Sequence, residues 1–439
     1  MQKGKYFLLF LFFFNYFKAV HSQSPVIMKV SLDSLFKIAE KSNRTLKISD
    51  YNERIAAEQV IDEKSKYLPA FDVSASASYL GDVWIADRNF SNGIKADMPH
   101  FGNNFAIEAT QVIYAGRSIS TAIDIAELNQ TLANLDKAKD QEDIRFVIAG
   151  YYLELLKLNN QKRILANSII QTKRLLEQIK AKYDQGTSLR NNSTRYELQL
   201  QSLKLSLFKL ENQRTIINND LVKTLQLPRG SKLEPMDSVA LGEQKIFDAQ
   251  PWQDLATEYS PLLKQTQIWI KQSEHYETLT KSDKLPHVFA FAGDKLDGPI
   301  TIEVPPINKN INYWYVGVGI KYNIASLYKS NIKTSIAKIA TQKAQENTDL
   351  VKDQLTTDID AAYLRFLETE KVYETQLKEV DLATENYTTT KNRYINDLVL
   401  ITEMLDAENS KIDAELQAAN AQINILFHYY QLKKLTGTL

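Results

Sequence analysis

The chain of 439 residues contains no cysteine. No disulfide can contribute to its stability, so the fold must be held together by packing alone. The chain would form no disulfide even in an oxidising compartment, and this composition is compatible with a protein of the bacterial envelope.

A block of basic charge is also missing. The sequence has 53 Lys and Arg residues and 53 Asp and Glu residues, and loss of Lys3, Lys5 and Lys18 with the first segment leaves 50 basic against 53 acidic residues. Nucleic acids are bound by a concentrated positive face. The even balance therefore argues against nucleic acid as a partner.

Beyond the N-terminus, no apolar run approaches the roughly 18 residues of a membrane-spanning helix. The first 22 residues instead have a basic start at Lys3 and Lys5, an apolar stretch over 6–17 and residues that suit cleavage before Gln23. This pattern predicts a signal peptide over residues 1–22. If the mature chain crosses a membrane, we expect it to do so as strands.

Signatures of catalysis are missing as well. The four histidines of the mature chain, at positions 100, 275, 287 and 428, lack the spacing of metal ligands. No phosphate-binding glycine loop and no nucleophile motif is present. We therefore expect no enzyme activity, no metal and no cofactor.

Alternation of apolar and polar residues is the first positive signal. Over 71–79, apolar residues alternate with Asp72 and three serines, and over 314–322 the apolar set has Trp314 and Tyr322 at its ends. Alternate residues of a strand lie on opposite faces. The pattern is typical of outer-membrane strands with aromatic girdles, although a half-buried sheet of a soluble domain has the same period. We expect strands at about 69–80, 103–113, 287–295 and 313–323.

Long helices are the second signal. Residues 117–182 and 329–393 contain no proline, and their only glycine is Gly150. About 65 residues with a rise of 1.5 Å each give a helix of about 100 Å, which is longer than a globular core needs. Apolar residues recur at spacings of three and four in segments that begin at Ile148, Tyr196 and Ile412. This repeat predicts coiled-coil packing of helix against helix.

The two signals occur twice, about 210 residues apart. Leu68-Pro69 and Leu285-Pro286 precede the alternating segments, and each proline-free stretch ends in a basic residue followed by tyrosine, Lys182-Tyr183 and Arg393-Tyr394. So long a period predicts two tandem structural repeats rather than a solenoid. The third alternating segment, which alternates poorly, is predicted to be a strand because of this duplication. We expect a first repeat over 23–227, a linker over 228–250 and a second repeat over 251–439.

Over essentially the whole mature chain, the sequence resembles the TolC-like outer membrane efflux protein family. The resemblance rests on the duplication, on the Leu-Pro pairs and on two helix-turn motifs. The motifs are Lys182, Tyr183, Asp184, Gln185 and Gly186, and Arg393, Tyr394, Ile395, Asn396 and Asp397, the second being followed by Ile401, Thr402, Glu403, Met404, Leu405, Asp406 and Ala407.

The resemblance implies an α+β membrane protein of the bacterial outer membrane that extends into the periplasm. Three protomers would each contribute four strands to one twelve-stranded transmembrane β-barrel, which continues into a long coiled-coil α-helical barrel. The loops at 81–102 and 296–312 would lie outside the cell. The implied partners are two further copies of the chain, outer-membrane lipid, a periplasmic adaptor (membrane fusion) protein and an inner-membrane pump of the RND or ABC type.

The resemblance also assigns roles at the helix turns. Matched by motif, the periplasmic gate falls on Asn191, Asn192, Tyr394, Val399, Glu403 and Asp406. The family often has an acidic residue where this chain has Asn192 and a basic one where it has Val399, so Arg190 or Arg195 is a candidate source of gate charge. The helix tips that would dock the adaptor carry Tyr183, Gly186, Asn396 and Asp397.

Simpler roles remain open for some of these residues. Glu403 and Asp406 share a helix face, which is either an acidic pore ring or a solvated surface. Tyr394 is either a gate residue or a packing aromatic. For the whole chain, the expected function is an exit duct of a tripartite efflux or type I secretion system, for small toxic compounds or polypeptides. The alternatives are a periplasmic coiled-coil structural protein and an ungated diffusion porin.

Overall fold

A computed structural model describes residues 27–236, 248–303 and 306–439. The predicted signal peptide and part of the predicted linker lie outside these ranges. The first half contains β1 (Ile27–Val30), α1 (Leu32–Ser42), α2 (Arg44–Ser65), β2 (Ala70–Tyr79), β3 (Val83–Ile85), β4 (Ile94–Ala96), β5 (Phe101–Ala115), α3 (Ser118–Asp184), α4 (Arg190–Thr224) and β6 (Lys232–Pro235). The second half contains α5 (Gln250–Tyr259), α6 (Pro261–Ser282), β7 (His287–Gly298), β8 (Ile311–Lys321), α7 (Ser326–Ile395) and α8 (Ile401–Thr436).

Two of the helices are far longer than the rest. Helix α3 has 67 residues and α7 has 70, so each extends for about 100 Å. The prediction of two uninterrupted helices from the proline-free stretches is confirmed. Helix α3 starts directly after Gly116 and Arg117, which both have positive φ, and it ends before Gly186, whose φ is +76°. Left-handed residues end helices because they turn the chain out of the helical path.

Four strands form one antiparallel sheet with the order β2-β5-β7-β8. They run through the four segments in which apolar residues alternate, the poorly alternating third one included. The register shifts between Val112 and Tyr114 on β5, so that Ile113 has no partner on β7, as in a β-bulge. Strands β2 and β8 lie at the two edges.

The two loops differ from the expected ranges. The loop after β2 contains a short hairpin of β3 and β4, and β5 already begins at Phe101. The loop after β7 is shorter than expected, because β7 continues to Gly298 and β8 starts at Ile311. Sequence alternation fades near strand ends, where turn residues occupy positions that still pair across the ladder.

The helices pack in pairs and bury the predicted seams. Near the turns between the long and the returning helices, one apolar cluster joins α3, α4, α7 and α8; its largest fully buried members are Tyr196, Ile179 and Met404. A second cluster lies at mid-length, where α1 packs on α3 and α4 beside a parallel pair of β1 and β6. Strand β6 lies in the segment that was expected to be a linker.

No helix within the described residues is both long enough and apolar enough to cross a bilayer.

Candidate functional site

The four-stranded sheet has two chemically different faces. We call the first the apolar face; it carries Phe71, Val73, Phe105, Ile107, Trp314, Val316, Val318 and Ile320. Val73 is 77% exposed, Trp314 76% and Val316 73%. Asp294 is the charged exception on this face, and it accepts a hydrogen bond of 2.8 Å from Asn312. Side chains of the apolar kind are normally covered in a soluble protein, so an exposed and largely apolar sheet face marks contact with lipid or another chain.

The opposite face, here the polar face, carries hydrophilic groups on every strand. Strand β2 contributes Asp72 and three serines. Lys295 on β7 lies 2.9 Å from the carboxylate of Glu108 on β5, and the Tyr315 hydroxyl on β8 donates to the same carboxylate at 2.5 Å. Asn104 donates a hydrogen bond to Asp297 one step further along the same strands. Cross-strand polar contacts therefore connect β5, β7 and β8 on this face.

Both edges of the sheet are open. Strand β2 pairs only with β5 and β8 pairs only with β7 in the described chain. Helix α2, which leads into β2, has an exposed apolar stripe of Ile48, Tyr51 and Ile55, and Ile61 is exposed on another side of the same helix. Helix α7, which follows β8, has a corresponding stripe of Tyr328, Ile332, Ile336 and Ile339. Unpaired backbone groups and uncovered apolar stripes thus occur on the same two lateral edges of the protomer.

At the other end of the molecule, two helix turns have the same geometry. After α3, the Thr187 N–H donates to the carbonyl of Lys182 at 2.9 Å, across Gly186. After α7, the Leu398 N–H donates to the carbonyl of Arg393 at 2.9 Å, across a left-handed residue, Asp397, with a φ of +56°. Both are Schellman-type ends, which explains why the two motifs correspond position by position although one has glycine and the other aspartate.

The two turns are joined by an ion pair. The ammonium group of Lys182 lies 2.8 Å from Asp397 Oδ1 and also donates to the carbonyl of Ile395 at 3.1 Å. A second pair, Lys180 with Glu197 at 2.7 Å, joins α3 to the start of α4. The predicted tip residues Tyr183, Gly186, Asn396 and Asp397 are all exposed at this end.

The gate residues expected from the resemblance follow these turns. Arg190, Asn191, Arg195, Glu403 and Asp406 are exposed. Neither arginine forms an ion pair with either of these acids in the described chain. The carboxylate of Glu403 accepts a hydrogen bond of 3.5 Å from the Leu400 N–H, so it caps α8.

Three gate residues are less accessible. Asn192 and Val399 are half-buried. Tyr394 is only 8% exposed and belongs to the apolar cluster at the turns, together with Tyr196, Tyr387 and Met404. Burial raises the pKa of the Tyr394 hydroxyl. Its position favours the packing role over a side chain that lines an opening.

A buried carboxyl group lies close to this end and was missed by the sequence analysis. Glu408 on α8 is 4% exposed, and the Thr172 hydroxyl on α3 lies 2.5 Å from its Oε1 atom. Burial raises the pKa of Glu408, against the opposing effect of the Thr172 hydrogen bond and of Lys411. The signal was present: the α8 seam that begins at Ile412 reaches Glu408 when it is extended back by one turn.

Aromatic residues surround this carboxyl. Burial raises the pKa of Tyr196 on α4 and, with the charge of Glu408, raises that of Tyr387 on α7 to about 12. The Lys411 ammonium lies 4.9 Å from the Tyr387 ring centroid. A cavity of about 170 Å³ opens beside Glu408 and Tyr387. The four long and returning helices therefore meet around one polar cluster of Thr172, Tyr196, Tyr387, Glu408 and Lys411.

Within the described residues, no group of three or more His, Asp or Glu side chains is arranged to hold a metal ion. His275 lies 3.6 Å from Asp124, and the His100 ring stacks on Tyr79 with centroids 5.1 Å apart. His428 contacts Gln431, with 3.1 Å between Nδ1 and Oε1.

Comparison with solved structures identifies proteins of the same fold. The chain is similar to the outer-membrane channel OprN, with a TM-score of 0.77 and 14% identity over 93% of this chain and 90% of that one. It is similar to the outer membrane protein VceC from Vibrio cholerae, with a TM-score of 0.77 and 13% identity over 92% and 96% of the two chains. It is also similar to the MtrE outer membrane channel of Neisseria gonorrhoeae in its open state, with a TM-score of 0.73 and 16% identity over 92% of this chain and 88% of that one.

No family model matches the sequence, and no curated protein matches it. The fold is nevertheless that of the outer-membrane channels, as the resemblance predicted. OprN and MtrE are outer-membrane channels, and VceC is an outer membrane protein. At identities of 13–16%, this similarity concerns the fold, and the function is argued from the residues of this chain.

Proposed function

We propose that this protein is an exit duct of the bacterial outer membrane that opens into the periplasm through a helical tunnel. Cargo would enter at the helix-turn end and leave through a β-barrel. Two of the named neighbours, OprN and MtrE, are outer-membrane channels, and the shared fold supports this assignment. The assignment includes no catalytic step, since a duct only provides a path and the energy comes from another protein.

The observation that carries the proposal is the sheet with one exposed apolar face and two open edges. Four strands cannot close a barrel, because the smallest bacterial barrels have about eight. In lipid, every unpaired backbone group at an edge is costly. Three copies, with β8 of each paired to β2 of the next, would form a closed barrel of twelve strands with the apolar face outward.

The helix stripes support the same closure. Pairing of β8 with β2 of a neighbouring copy would bring α7 of the first beside α2 of the second. The stripe on α2 starts at Ile55, ten residues before the end of that helix, and the stripe on α7 runs from Tyr328, its third residue, to Ile339, its fourteenth. The two stripes would therefore overlap in height around Ile55 and Ile339 and cover each other there.

The remaining assignments follow the same arrangement. The two halves of the chain, 23–227 and 251–439, are inferred to be tandem structural copies separated by 228–250. The loops after β2 and β7 would lie outside the cell, because long loops occupy the outer side of such barrels. The turn residues Tyr183, Gly186, Asn396 and Asp397 are proposed to dock a periplasmic adaptor that connects to an inner-membrane pump.

A gate is proposed at the helix-turn end. Glu403 and Asp406 are exposed one turn apart on α8, and in a trimer they would recur three times around the opening. Acidic rings favour cations in a narrow pore. Asn191, Asn192, Val399, Arg190 and Arg195 are the further candidates on the neighbouring surface, and Tyr394 is assigned to the packing beneath it.

Fractionation and electrical recording test the proposal together. The mature protein is expected in the outer-membrane fraction as heat-modifiable trimers. Planar bilayers should show a small conductance that rises when Glu403 and Asp406 are both replaced by alanine. A soluble periplasmic monomer would contradict the proposal, and a large conductance that the substitutions leave unchanged would indicate an ungated porin.

A further inference from the structure

Three aromatic side chains on the polar face lie directly over glycines of the paired strand. Phe289 pairs with Gly319, Phe291 with Gly317, and Tyr315 with Gly293. The fit is close: a Cβ atom on Gly319 or Gly317 would come within 2.6 Å of the ring of Phe289 or Phe291. Each ring therefore requires a glycine opposite it.

The rings form a continuous row along the strands. Ring centroids are 6.0 Å apart for Phe289 and Phe291, 6.0 Å for Phe291 and Tyr315, and 6.4 Å for Tyr315 and Tyr313. The first three rings are half-buried and Tyr313 is exposed. We call these four side chains the aromatic row. One surface of each glycine-backed ring meets the backbone of the sheet, so the other is left for a molecule on the polar face.

The aromatic row is largely apolar, whereas most of the face on which it lies is polar. Apart from its alanines and from Val112 and Ile311, the rest of the polar face presents serine, threonine, asparagine, glycine, histidine and charged groups, as a water-filled lumen requires. The two phenylalanines are the reason why the third strand alternates poorly in the sequence. Glycine in a strand interior weakens the sheet and often marks close approach of a ligand. The glycines opposite the rings therefore weaken the sheet, and a binding role of the rings would explain why they are present.

Charge on the same face selects the kind of ligand. Asp72, Glu108 and Asp297 share the polar face with Lys295 and Lys321. Lys295 is neutralised by Glu108, and its ammonium group lies 5.6 Å from the centroid of Tyr315. The row therefore already accommodates one cation against a ring, and the face has more acidic than basic groups. Aromatic faces attract cations and stack with flat rings.

We propose that Phe289, Phe291, Tyr315 and Tyr313 form a binding track for planar aromatic cations on the inner wall of the barrel. The inference rests on the proposed function, because the polar face becomes a lumen only in the closed trimer. Three such tracks would then surround one passage, and a flat cation would move from ring to ring along it.

The test uses ethidium, a planar aromatic cation, as the probe with the full-length mature protein. In planar bilayers, ethidium should cause brief blockades of the current through the wild-type channel. The double variant Phe289→Leu/Phe291→Leu keeps apolar side chains over the glycines but removes two ring faces. Loss of two ring faces removes both cation–π attraction and stacking and should shorten the blockades by roughly fivefold to thirtyfold. Tetramethylammonium, which is attracted to ring faces as a cation but has no ring to stack, should show a smaller difference between the two proteins.

The matched control carries the same chemical change on the other face. Phe71 and Phe105 are exposed on the apolar face of the same sheet. Phe71→Leu/Phe105→Leu should leave the blockades unchanged. Equal blockade times for the polar-face double variant and the wild type would overturn the proposal. If that variant does not form trimers, Tyr313→Leu removes the ring at the end of the row without changing a glycine-backed pair, and unchanged blockades would overturn the proposal equally.

A binding measurement separates the track from the duct. Fluorescence anisotropy of ethidium with the detergent-solubilised protein needs no current. Ring-dependent binding without conductance would support the track and contradict the duct. Conductance with ethidium binding that is the same in the wild type and in Phe289→Leu/Phe291→Leu would support the duct and overturn the track. Phe289→Tyr/Phe291→Tyr, which keeps both rings, should restore the wild-type affinity.

Discussion

The Thr172 hydroxyl lies 2.5 Å from the Oε1 atom of Glu408, and this contact joins the long helix α3 to the returning helix α8 inside the protein. The carboxyl group is surrounded by Tyr196 from α4, by Tyr387 and Lys391 from α7 and by Lys411 from α8. All four helices that end at the turns therefore contribute a polar group to it. An ionisable group in this position makes the helix packing sensitive to pH.

Replacement of Glu408 by glutamine should stabilise the helical part at alkaline pH. Burial raises the pKa of Glu408, so the native state holds the proton more tightly than the unfolded state does. The resulting stability is fully present below the unfolded pKa of about 4.3 and is lost as the pH rises through the folded value. Glu408→Gln should therefore be more stable than the wild type at pH 8, where the wild type must either keep the proton or bury the charge. The difference from the wild type should shrink on acidification.

Thermal unfolding followed by circular dichroism at 222 nm checks this expectation at pH 4, 6 and 8. Asp413→Asn is the matched control, since it exchanges a carboxylate for an amide on the same helix at an exposed position. It should change the midpoint little at any of these pH values. A glutamine variant that is less stable than the wild type at pH 8 would mean that the ionised carboxylate stabilises the cluster.

A lysine introduced on one face of β2 should disrupt assembly, whereas a lysine introduced on the other face should not. Val73 lies on the apolar face and Ser74, the next residue, on the polar face. A lysine near the bilayer midplane on a lipid-facing position costs about 2–4 kcal/mol, whereas a lysine in the lumen remains hydrated. Val73→Lys should therefore strongly reduce the yield of heat-modifiable trimers in the outer-membrane fraction, and Ser74→Lys should leave it near the wild-type level. Equal yields would contradict the assignment of the faces.

The long helices and the sheet were accessible from the sequence because each depends on a strong local rule. A stretch of some 65 residues without proline can form one uninterrupted helix. The period-two alternation around Val73 and Val316 indicates a strand with one apolar and one polar face. The short hairpin of β3 and β4 and the parallel pair of β1 and β6 were not predicted. Strands of three or four residues contain too few alternate positions to show a period.

The site was less predictable than the fold, because its residues depend on tertiary contacts. The motif match located the turns and their left-handed residues, Gly186 and Asp397, and both occupy equivalent positions. It assigned Tyr394 to the gate, but a tyrosine one turn from a helix end has the same sequence pattern whether it packs or lines an opening. Glu408 was overlooked because a charged residue is usually expected at the surface.

Loss of the ion pair between the two turns should ease opening of the helix-turn end. Lys182 is half-buried and Asp397 is exposed. Solvent-accessible pairs contribute about 0.2–1 kcal/mol, which changes an opening equilibrium by at most about fivefold. Asp397→Asn keeps a residue type that tolerates the left-handed conformation and removes only the charge. Its conductance at low salt should exceed that of the wild type. The difference should fade in 1 M salt, since screening weakens the pair in the wild type.

The control for this ion pair lies in the other turn. Asp184 is exposed at the end of α3 and has no ion-pair partner in the described chain. Asp184→Asn should therefore leave the conductance unchanged at both salt concentrations. An equal increase in both variants would show that the net charge of the tip, and not the contact with Lys182, determines the effect.

Gly317 and Phe291 should behave as a coupled pair in the assembly of the sheet. A Cβ atom on Gly317 would lie 2.6 Å from Cζ of Phe291, so Gly317→Ala requires the ring to move away from the strand. Overpacking of this kind costs about 1–3 kcal/mol. The single variant should lower the temperature at which the trimer dissociates on electrophoresis. Phe291→Ala removes the obstacle, so the added methyl group should cost much less in the double variant than in the wild-type background. Gly81→Ala, where nothing lies within 4 Å of the new atom, serves as the control. If the cost of Gly317→Ala were the same with and without the ring, the close contact would not be what excludes a side chain from this position.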